Sequence, residues 1–337
     1  MKAWELRSFD REGLVLADRP IPQPGPFDVL VKVSAVSLNY RDRLVMEGVY
    51  NPDVKFPLTQ VADTAGEVVK IGDRVTRFRV GDRVLSQYAT TWIDGAPKGD
   101  ETVHTLGSTI AGGLAEYLNL NENAFVRAPA YLSDEEASTL PVAALTAWYS
   151  LCEQGGLARG QTILVHGTGG VSLFGVQMAA ALGARVFITS SNDEKLERAR
   201  VLGVHAGINY ARYPDWEAEV LKQTDGQGVD HTLEVVGGKN LAKSIGATRP
   251  GGRVTVIGIM DGFFSEIPLF ALLTRQITIR GVVTGPRRAF EEMNRKLEDL
   301  KIRPVIDRIY SFDEAHAAYD HLYRGAFGKI VIRVRQS

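Results

Sequence analysis

The sequence predicts an α/β protein in which a doubly wound parallel sheet follows a β-rich domain. Three observations carry this expectation. Residues 1 to about 125 hold short β-branched runs broken by Pro and Gly, whereas strand-like and helix-like runs alternate from about 130 onward. A glycine turn, Gly167-Thr168-Gly169-Gly170, stands between one such strand and one such helix. The chain has 337 residues and is 45% apolar, enough for two buried cores.

The elements follow in order. Val29 to Val33 and Gly81 to Leu85 read as strands of the first domain. Pro20-Ile21-Pro22-Gln23-Pro24-Gly25-Pro26 excludes helix and central strand, because proline lacks the N–H donor and fixes φ. In the alternating half, Thr162–His166 is a short buried strand. Val171–Leu182 has helical apolar spacing and stops at Gly183, a suitable C′ glycine. Arg185–Thr189 is a second strand, and Asp193–Leu202 a helix closed by Gly203. Ala206–Asn209 is strand-like, and Pro214–Thr224 is helical with proline tolerated in its first turn. Val229–Val235, Arg253–Gly258 and Ile277–Val283 complete the strands. Alternating units of this kind imply a parallel sheet covered on both faces. Arg287–Leu300 and Ser311–Tyr323 are helical, Lys329–Val334 alternates like a strand, and this tail is expected to return to the first domain. The expected domains are 1–124, 125–284 and a return over 285–337.

Bulk properties exclude several classes. Lys and Arg total 39 against 40 Asp and Glu, so no basic surface argues for nucleic acid or an anionic membrane. The single cysteine, Cys152, allows neither an internal disulfide nor a thiolate metal cage. Met1 to Arg7 lacks a signal-peptide core, and no apolar run reaches the roughly 18 residues a membrane span needs, so a soluble cytoplasmic protein is the expectation.

Strand, glycine turn and helix form a dinucleotide fingerprint in its expected context. Gly167 turns the chain off the strand, and Gly169 admits a pyrophosphate without a Cβ in the way. The first N–H groups of the helix that begins at Val171 then face the phosphates, with Thr168 and Gly170 in the turn. Ser172 stands where the third glycine of the fingerprint would be. The tip of the second strand runs into Ser190-Ser191-Asn192 with no acid for a ribose 2′-hydroxyl. Ser190, Ser191, Lys195 and Tyr210 therefore favour a 2′-phosphate, hence NADP, bound as NADPH. The competing reading is that the serines only cap a helix while Asp193 or Glu194 turns back to the ribose.

With these motifs in order, the chain resembles the medium-chain dehydrogenase/reductase superfamily over nearly its whole length. Leu140-Pro141 to Trp148 and the closing Gly328-Lys329 match as well. The resemblance implies a Rossmann domain joined to a β-rich GroES-like catalytic domain. The zinc alcohol dehydrogenases of that superfamily carry G-H-E-x2-G-x5-G-x2-V, and this chain keeps the frame as Val61-Ala62-Asp63-x2-Gly66-x5-Gly72-x2-Val75. Ala62 stands in place of the ligand histidine, Asn39 in place of the ligand cysteine, and Val142 to Ala144 offer no third donor. Zinc needs three protein ligands and an open position, so no metal and no zinc chemistry is expected. His104 reads as a surface residue.

What remains is similar to the zinc-independent branch, the quinone oxidoreductases and enone reductases, through Asn39-Tyr40-Arg41-Asp42 and Gly48-Val49-Tyr50. The resemblance implies hydride transfer from NADPH to a quinone or an α,β-unsaturated carbonyl. Asn39, Tyr40 and Tyr50 are the catalytic candidates: a tyrosine would donate to the developing oxyanion, and Asn39 would orient ribose or substrate. The same tyrosines fit ordinary packed aromatics, and Asn39 a turn residue. Arg41 and Asp42 read as a local ion pair. Thr146 is expected at the nicotinamide end, or alternatively in helix packing. Gly258, Val283 and Lys329 complete the expected cofactor contacts. The loop from Thr90 to Gly113, with Trp92, is expected to wall the substrate. The alternatives are an NADP-linked alcohol/carbonyl dehydrogenase without zinc, and a non-catalytic dinucleotide-sensing protein. The expected partners are a small-molecule substrate and a second copy of the chain, paired through the edge strand near Ile277–Val283.

Overall fold

The computed structural model describes residues 1–335. The chain forms two compact units, one of Met1–Leu145 with the residues from Thr284 onward, the other of Thr146–Val283. Among the described residues no helix is long and apolar enough to cross a membrane.

The first unit contains β1 (Lys2–Leu6), β2 (Leu14–Asp18), β3 (Asp28–Leu38), β4 (Leu58–Thr59), β5 (Asp63–Ile71), β6 (Arg83–Ser86), β7 (Tyr117–Asn121) and β8 (Phe125–Arg127). Its long strand β3 alternates apolar residues, and Val29, Val31 and Val33 enter a core with Trp4, Leu6 and Phe125. β3 pairs antiparallel with β5 and with β7. Immediately after β3 the chain turns into α1 (Tyr40–Met46), with Asn39 at the N-cap and the Asp42 carboxylate accepting from the Asn39 backbone N–H at 2.8 Å.

The expected domain start at 125 falls earlier than the division in the structure, which lies after Leu145. Strand β8 is the reason, since it pairs with β6. The next helix, α2 (Asp134–Ala137), is tied back by Arg83, whose Nη2 lies 2.6 Å from Asp134. The helical texture that begins near 130 thus belongs to the first unit, because polar contacts and sheet pairing hold it there.

A short helix, α3 (Leu145–Trp148), continues from a π-turn at Leu140–Ala144. The second unit then runs β9 (Thr162–His166), α4 (Gly170–Ala181), β10 (Arg185–Ser190), α5 (Asp193–Arg200), β11 (Val204–Asn209), α6 (Trp216–Gln223), β12 (Val229–Glu234), α7 (Asn240–Ala247), β13 (Thr248–Val256), α8 (Leu269–Arg275) and β14 (Thr278–Gly281). These strands make one six-stranded sheet in the order β11-β10-β9-β12-β13-β14, every pairing parallel. That is the doubly wound arrangement, whose switch point lies between β9 and β12. Pro214 precedes α6 rather than lying in its first turn. Two helices, α7 and α8, escaped the sequence reading. α8 has no polar face to give it a period: Leu269, Phe270 and Leu273 are 62%, 80% and 73% exposed.

The tail adds α9 (Arg287–Leu300), β15 (Ile306–Ser311), α10 (Ala315–Arg324) and β16 (Lys329–Arg333). β16 pairs antiparallel with β3, which returns the tail to the first unit as expected.

Buried histidines make the second unit sensitive to acid. His231 on β12 is 3% exposed, with Nε2 3.0 Å from the Gln161 side-chain oxygen. Burial, helped by the nearby Arg253 charge, pushes its pKa down to about 4. The unfolded chain protonates this residue at about 6.5, so the unfolded state binds the extra proton first as the pH falls. Stability is therefore expected to drop between about pH 6.5 and 4, by up to about 3 kcal/mol from this residue. Urea midpoints measured across that range should show a flatter slope in His231→Gln, and an unchanged slope would refute the assignment.

Candidate active site

In the second unit the glycine turn leaves β9 with Gly167 at φ +68°, the left-handed region that glycine enters freely. The Gly167 N–H donates to the Thr189 carbonyl at 2.8 Å, fixing the turn against β10. Gly169 is the N-cap of α4, and no side chain caps that helix. A Cβ built on Gly167 or Gly169 would meet no atom within 4 Å. The helix therefore presents unpaired N–H groups and its positive dipole end to open space, a cradle that fits a pyrophosphate. Thr168, Gly170 and Val171 complete this turn.

Ser172 in place of the third fingerprint glycine has a use of its own. Its hydroxyl donates to the His166 carbonyl at 2.7 Å and pins α4 to β9. Close helix–strand approach is supplied one turn later by Gly175, where a Cβ would lie 2.6 Å from Leu233 Cδ1.

Beneath the turn lies a buried chain of polar groups that the sequence reading missed. His166 has Nδ1 2.9 Å from Thr189 Oγ1 and Nε2 2.9 Å from Ser244 Oγ. Ser244 donates in turn to Glu234 at 2.5 Å. Glu234 is fully buried and also accepts from the Val236 and Gly237 N–H groups and from Asn240 Nδ2. Burial holds the His166 pKa down, against the pull of Glu234. A neutral histidine can accept at one ring nitrogen and donate at the other, so the chain ties β9, β10, β12 and α7 together.

At the tip of β10, Ser190 is buried and its hydroxyl accepts from the Asn192 N–H, while Ser191 is exposed. The cap of α5 is Asn192, whose side chain accepts from the Lys195 N–H at 3.0 Å, so neither serine is the cap. The nearest acid is already engaged. Asp193 accepts from Asn209 Nδ2 at 2.7 Å and pairs with Arg212 at 2.5 Å. Tyr210 is 45% exposed beside this cluster, its N–H held by the Ser190 carbonyl. Gly258 follows β13 in the tightest backbone approach, where a Cβ would meet the Val235 carbonyl at 1.8 Å. Thr146, 1% exposed, donates to the carbonyl of Val283 at 3.3 Å, so these two expected cofactor contacts meet one another.

In the first unit the candidate residues divide into two clusters. Asn39, Asp63 and Lys329 form the first. Lys329 is 3% exposed and its ammonium reaches the Leu38 carbonyl at 2.8 Å, Asn39 Oδ1 at 2.7 Å and Asp63 Oδ2 at 3.1 Å. Asp63 also accepts from Ser37 Oγ, Asn39 Nδ2 and the Val142 N–H. Lys329, expected at the cofactor, bonds through its ammonium to these three oxygens of its own unit. Asn39 likewise uses both ends of its amide here. Among the described residues no group of three or more His, Cys, Asp or Glu could hold a metal.

The second cluster holds Tyr50. Its hydroxyl lies 2.5 Å from that of Tyr88, a fully buried residue outside the expected set. The Arg41 guanidinium stands over both rings, 4.8 Å from Tyr50 and 5.1 Å from Tyr88. Arg41 is buried, as the expected ion pair places it: Nη1 is 3.1 Å from Asp42 and also donates to the Leu106 carbonyl at 2.9 Å. Burial works against its charge, but Tyr88, Asp42 and Tyr50 together hold its pKa above the ordinary guanidinium value. Burial pushes Asp42 up to about 6 against the pull of Arg41, and it raises Tyr88 in spite of Arg41. Tyr40 opens α1 apart from this pair, with the Arg43 guanidinium over its ring at 5.7 Å. The Thr90–Gly113 loop supplies Leu106 and Thr105 to the cluster. It is anchored by Trp92, whose carbonyl accepts from the Arg287 N–H, and by Asp94, 2.6 Å from Arg288. His104 is exposed and pairs with Asp100 at 2.8 Å.

A unit with a doubly wound sheet and an open, uncapped glycine turn, in one chain with a β-rich unit that carries the Tyr50–Tyr88 pair, is the make-up of a nicotinamide-dependent oxidoreductase. The comparisons agree. The zinc-binding dehydrogenase family matches residues 170–299 and the alcohol dehydrogenase GroES-like domain residues 25–130. A zinc-type alcohol dehydrogenase-like protein of Schizosaccharomyces pombe is 38% identical over 98% of this chain and 97% of its own length. The crystal structure of a putative alcohol dehydrogenase from Sinorhizobium meliloti is 44% identical, with a TM-score of 0.94 over 99% of this chain and 98% of that one. A quinone oxidoreductase of Lama guanicoe is 27% identical over 95% of this chain and 92% of its own length. The chain belongs to the medium-chain dehydrogenase/reductase superfamily and is an NAD(P)H-dependent oxidoreductase.

Proposed function

We propose that this protein uses NADPH to reduce a quinone or an α,β-unsaturated carbonyl, without a metal. The observation that carries the cofactor choice is the engagement of Asp193 by Asn209 and Arg212. That acid is neutralised and hydrogen-bonded, leaving Ser191, Lys195 and Tyr210 around the position of a ribose 2′-substituent. The bound nicotinamide would supply the hydride; the chain's part is to hold the pyrophosphate at Gly167–Val171 and to place donors at the acceptor's oxygen.

Three features support the metal-free reading. Ala62 has no donor atom. Asn39 and Asp63 are bonded to the Lys329 ammonium, a resident cation where a metal would need free ligands. The quinone oxidoreductase named above supports the acceptor class.

The test is direct. The wild-type protein should bind NADPH more tightly than NADH and oxidise it with a quinone or 2-alkenal, and Lys195→Ala should cut the NADPH preference about tenfold, the size of one lost phosphate contact. Equal affinity for both dinucleotides, or inertness to every acceptor, would reject the reading.

The same reading includes a second copy of the chain. β14 is the outer strand of its sheet, and exposed Phe264, Leu269, Phe270 and Leu273 lie close to it in sequence. A single-chain mass by light scattering at micromolar concentration would remove this part.

A further inference from the structure

Glu234 is the last residue of β12 and is fully buried, and among the described residues its hydrogen bonds come only from uncharged donors. Oε1 accepts from the Val236 N–H at 2.8 Å and the Gly237 N–H at 3.0 Å. Oε2 accepts from Asn240 Nδ2 at 2.8 Å and from Ser244 Oγ at 2.5 Å. Four donors on two oxygens favour the ionised form. The one basic side chain within ion-pair distance, among the described residues, is His166 at 3.6 Å. Burial holds the pKa of that imidazole below its ordinary value. With Ser244 donating to Glu234, its oxygen accepts from His166 Nε2, and Nδ1 accepts from Thr189 Oγ1. Every hydrogen in this chain of groups therefore points towards the carboxylate, and no cation lies along it.

A buried carboxylate without a cation is costly to keep. Its place in the sheet indicates what it faces. A dinucleotide lies across the carboxyl ends of the strands, with its adenosine ribose at the tip of the second strand, β10. The nicotinamide half then belongs to β12, β13 and β14, on the other side of the switch point, and Glu234 ends the first of these. The charged residues on the loops after β12 and β13 are Lys239, Asp261 and Glu266, all exposed, where water and salt screen them. Glu234 alone among these is in a low-dielectric interior, where a charge acts over a longer range.

We propose that Glu234 is a fixed anion that acts through space on the nicotinamide ring, favouring its oxidised, positively charged form over the reduced one, so that the bound cofactor is a stronger hydride donor than the free cofactor. This deepens the proposed function and rests on it for the direction of hydride transfer. Transfer breaks the C4–H bond, carries both electrons to the acceptor carbon and leaves one positive charge on the ring. No proton or electron moves at Glu234, and it touches neither cofactor nor acceptor.

Equilibrium binding to the full chain, measured by calorimetry with no acceptor present, gives the ratio of the dissociation constants of the oxidised and reduced dinucleotides. The ratio is taken for NADP+ with NADPH and for NAD+ with NADH, since any 2′-phosphate contribution cancels within a pair. The wild-type protein should bind the oxidised form at least as tightly as the reduced form. Glu234→Gln keeps the shape and an oxygen for the Val236 and Gly237 N–H groups, and its amide can donate to Ser244, whose hydroxyl turns to His166. Only the charge is lost, and the ratio should move about tenfold towards the reduced form, about 30 mV in the two-electron potential of the bound cofactor. Glu234→Asp keeps the charge and should stay within about threefold of the wild type. The shift should persist at about 1 M salt, because a buried charge is not screened. An unchanged ratio in Glu234→Gln, the same shift in Glu234→Asp, a shift that vanishes in high salt, or wild-type binding of the reduced form more than about tenfold tighter than the oxidised would each overturn the inference. Should the variants fail to fold, the wild-type ratio decides. If the ratios behave as expected but NADPH is not preferred and no quinone or enone is reduced, the functional reading fails and the role of Glu234 stands.

Discussion

Gly169→Val is expected to abolish dinucleotide binding while leaving the fold intact. Gly169 has φ −80° and ψ −177°, an extended conformation that valine adopts readily, so no backbone strain follows. Its Cβ would project into open space, with no atom within 4 Å. The isopropyl group would then occupy the volume in front of the first turn of α4, where a pyrophosphate must approach the N–H groups. Losing that approach removes several charge-assisted hydrogen bonds at once, so NADPH affinity should fall by at least about a hundredfold. Stability should change by no more than about 0.5 kcal/mol, as for a substitution that meets nothing. Fluorescence titration with NADPH and a thermal melt check the two halves. Retained affinity would mean that the turn holds no phosphate.

Lys329→Met is expected to cost the most stability. Among the described residues the ammonium is the one cation bonded to Asp63, a fully buried carboxylate, and it also satisfies Asn39 and the Leu38 carbonyl. Removing one member of a buried pair leaves the other charged and desolvated, a loss of about 3–5 kcal/mol. The Asp63→Asn/Lys329→Met double variant should be less destabilised than Lys329→Met alone, because the stranded charge is gone. Chemical denaturation of the three proteins measures this. A loss below about 1 kcal/mol in Lys329→Met would show that Asp63 is not charged in the folded chain.

Much of the dinucleotide unit was readable in advance because its signals are local. Apolar runs of strand length, helical spacing and closing glycines recur in one order, and the glycine turn lies within a strand–turn–helix context. All six strands of that sheet stand where periodicity placed them, to within a few residues. The helices α7 and α8 were missed because the first is short and contains Gly246, and the second has no polar face.

The first unit was harder to read, for a physical reason. Its groups are assembled by antiparallel pairing between distant segments. Lys329 meets Asp63 only because β16 pairs with β3 and β3 with β5. Tyr88 meets Tyr50 across thirty-eight positions, and neither period nor spacing marks it. Residue type alone could not reveal that Asp193 is engaged, that Lys329 is bonded to oxygens of its own unit, or that Ser172 pins α4 to β9.

The sequence by itself determined the fold class, the place of the glycine turn and the absence of metal-ligand residue types at positions 39 and 62. Those properties live in short windows, where backbone preference and side-chain chemistry act over a few residues. Only the tertiary structure decided which polar groups are available and which are already bonded. Availability depends on burial and on partners brought together from far along the chain, and in a low-dielectric interior those partners determine what each group can do.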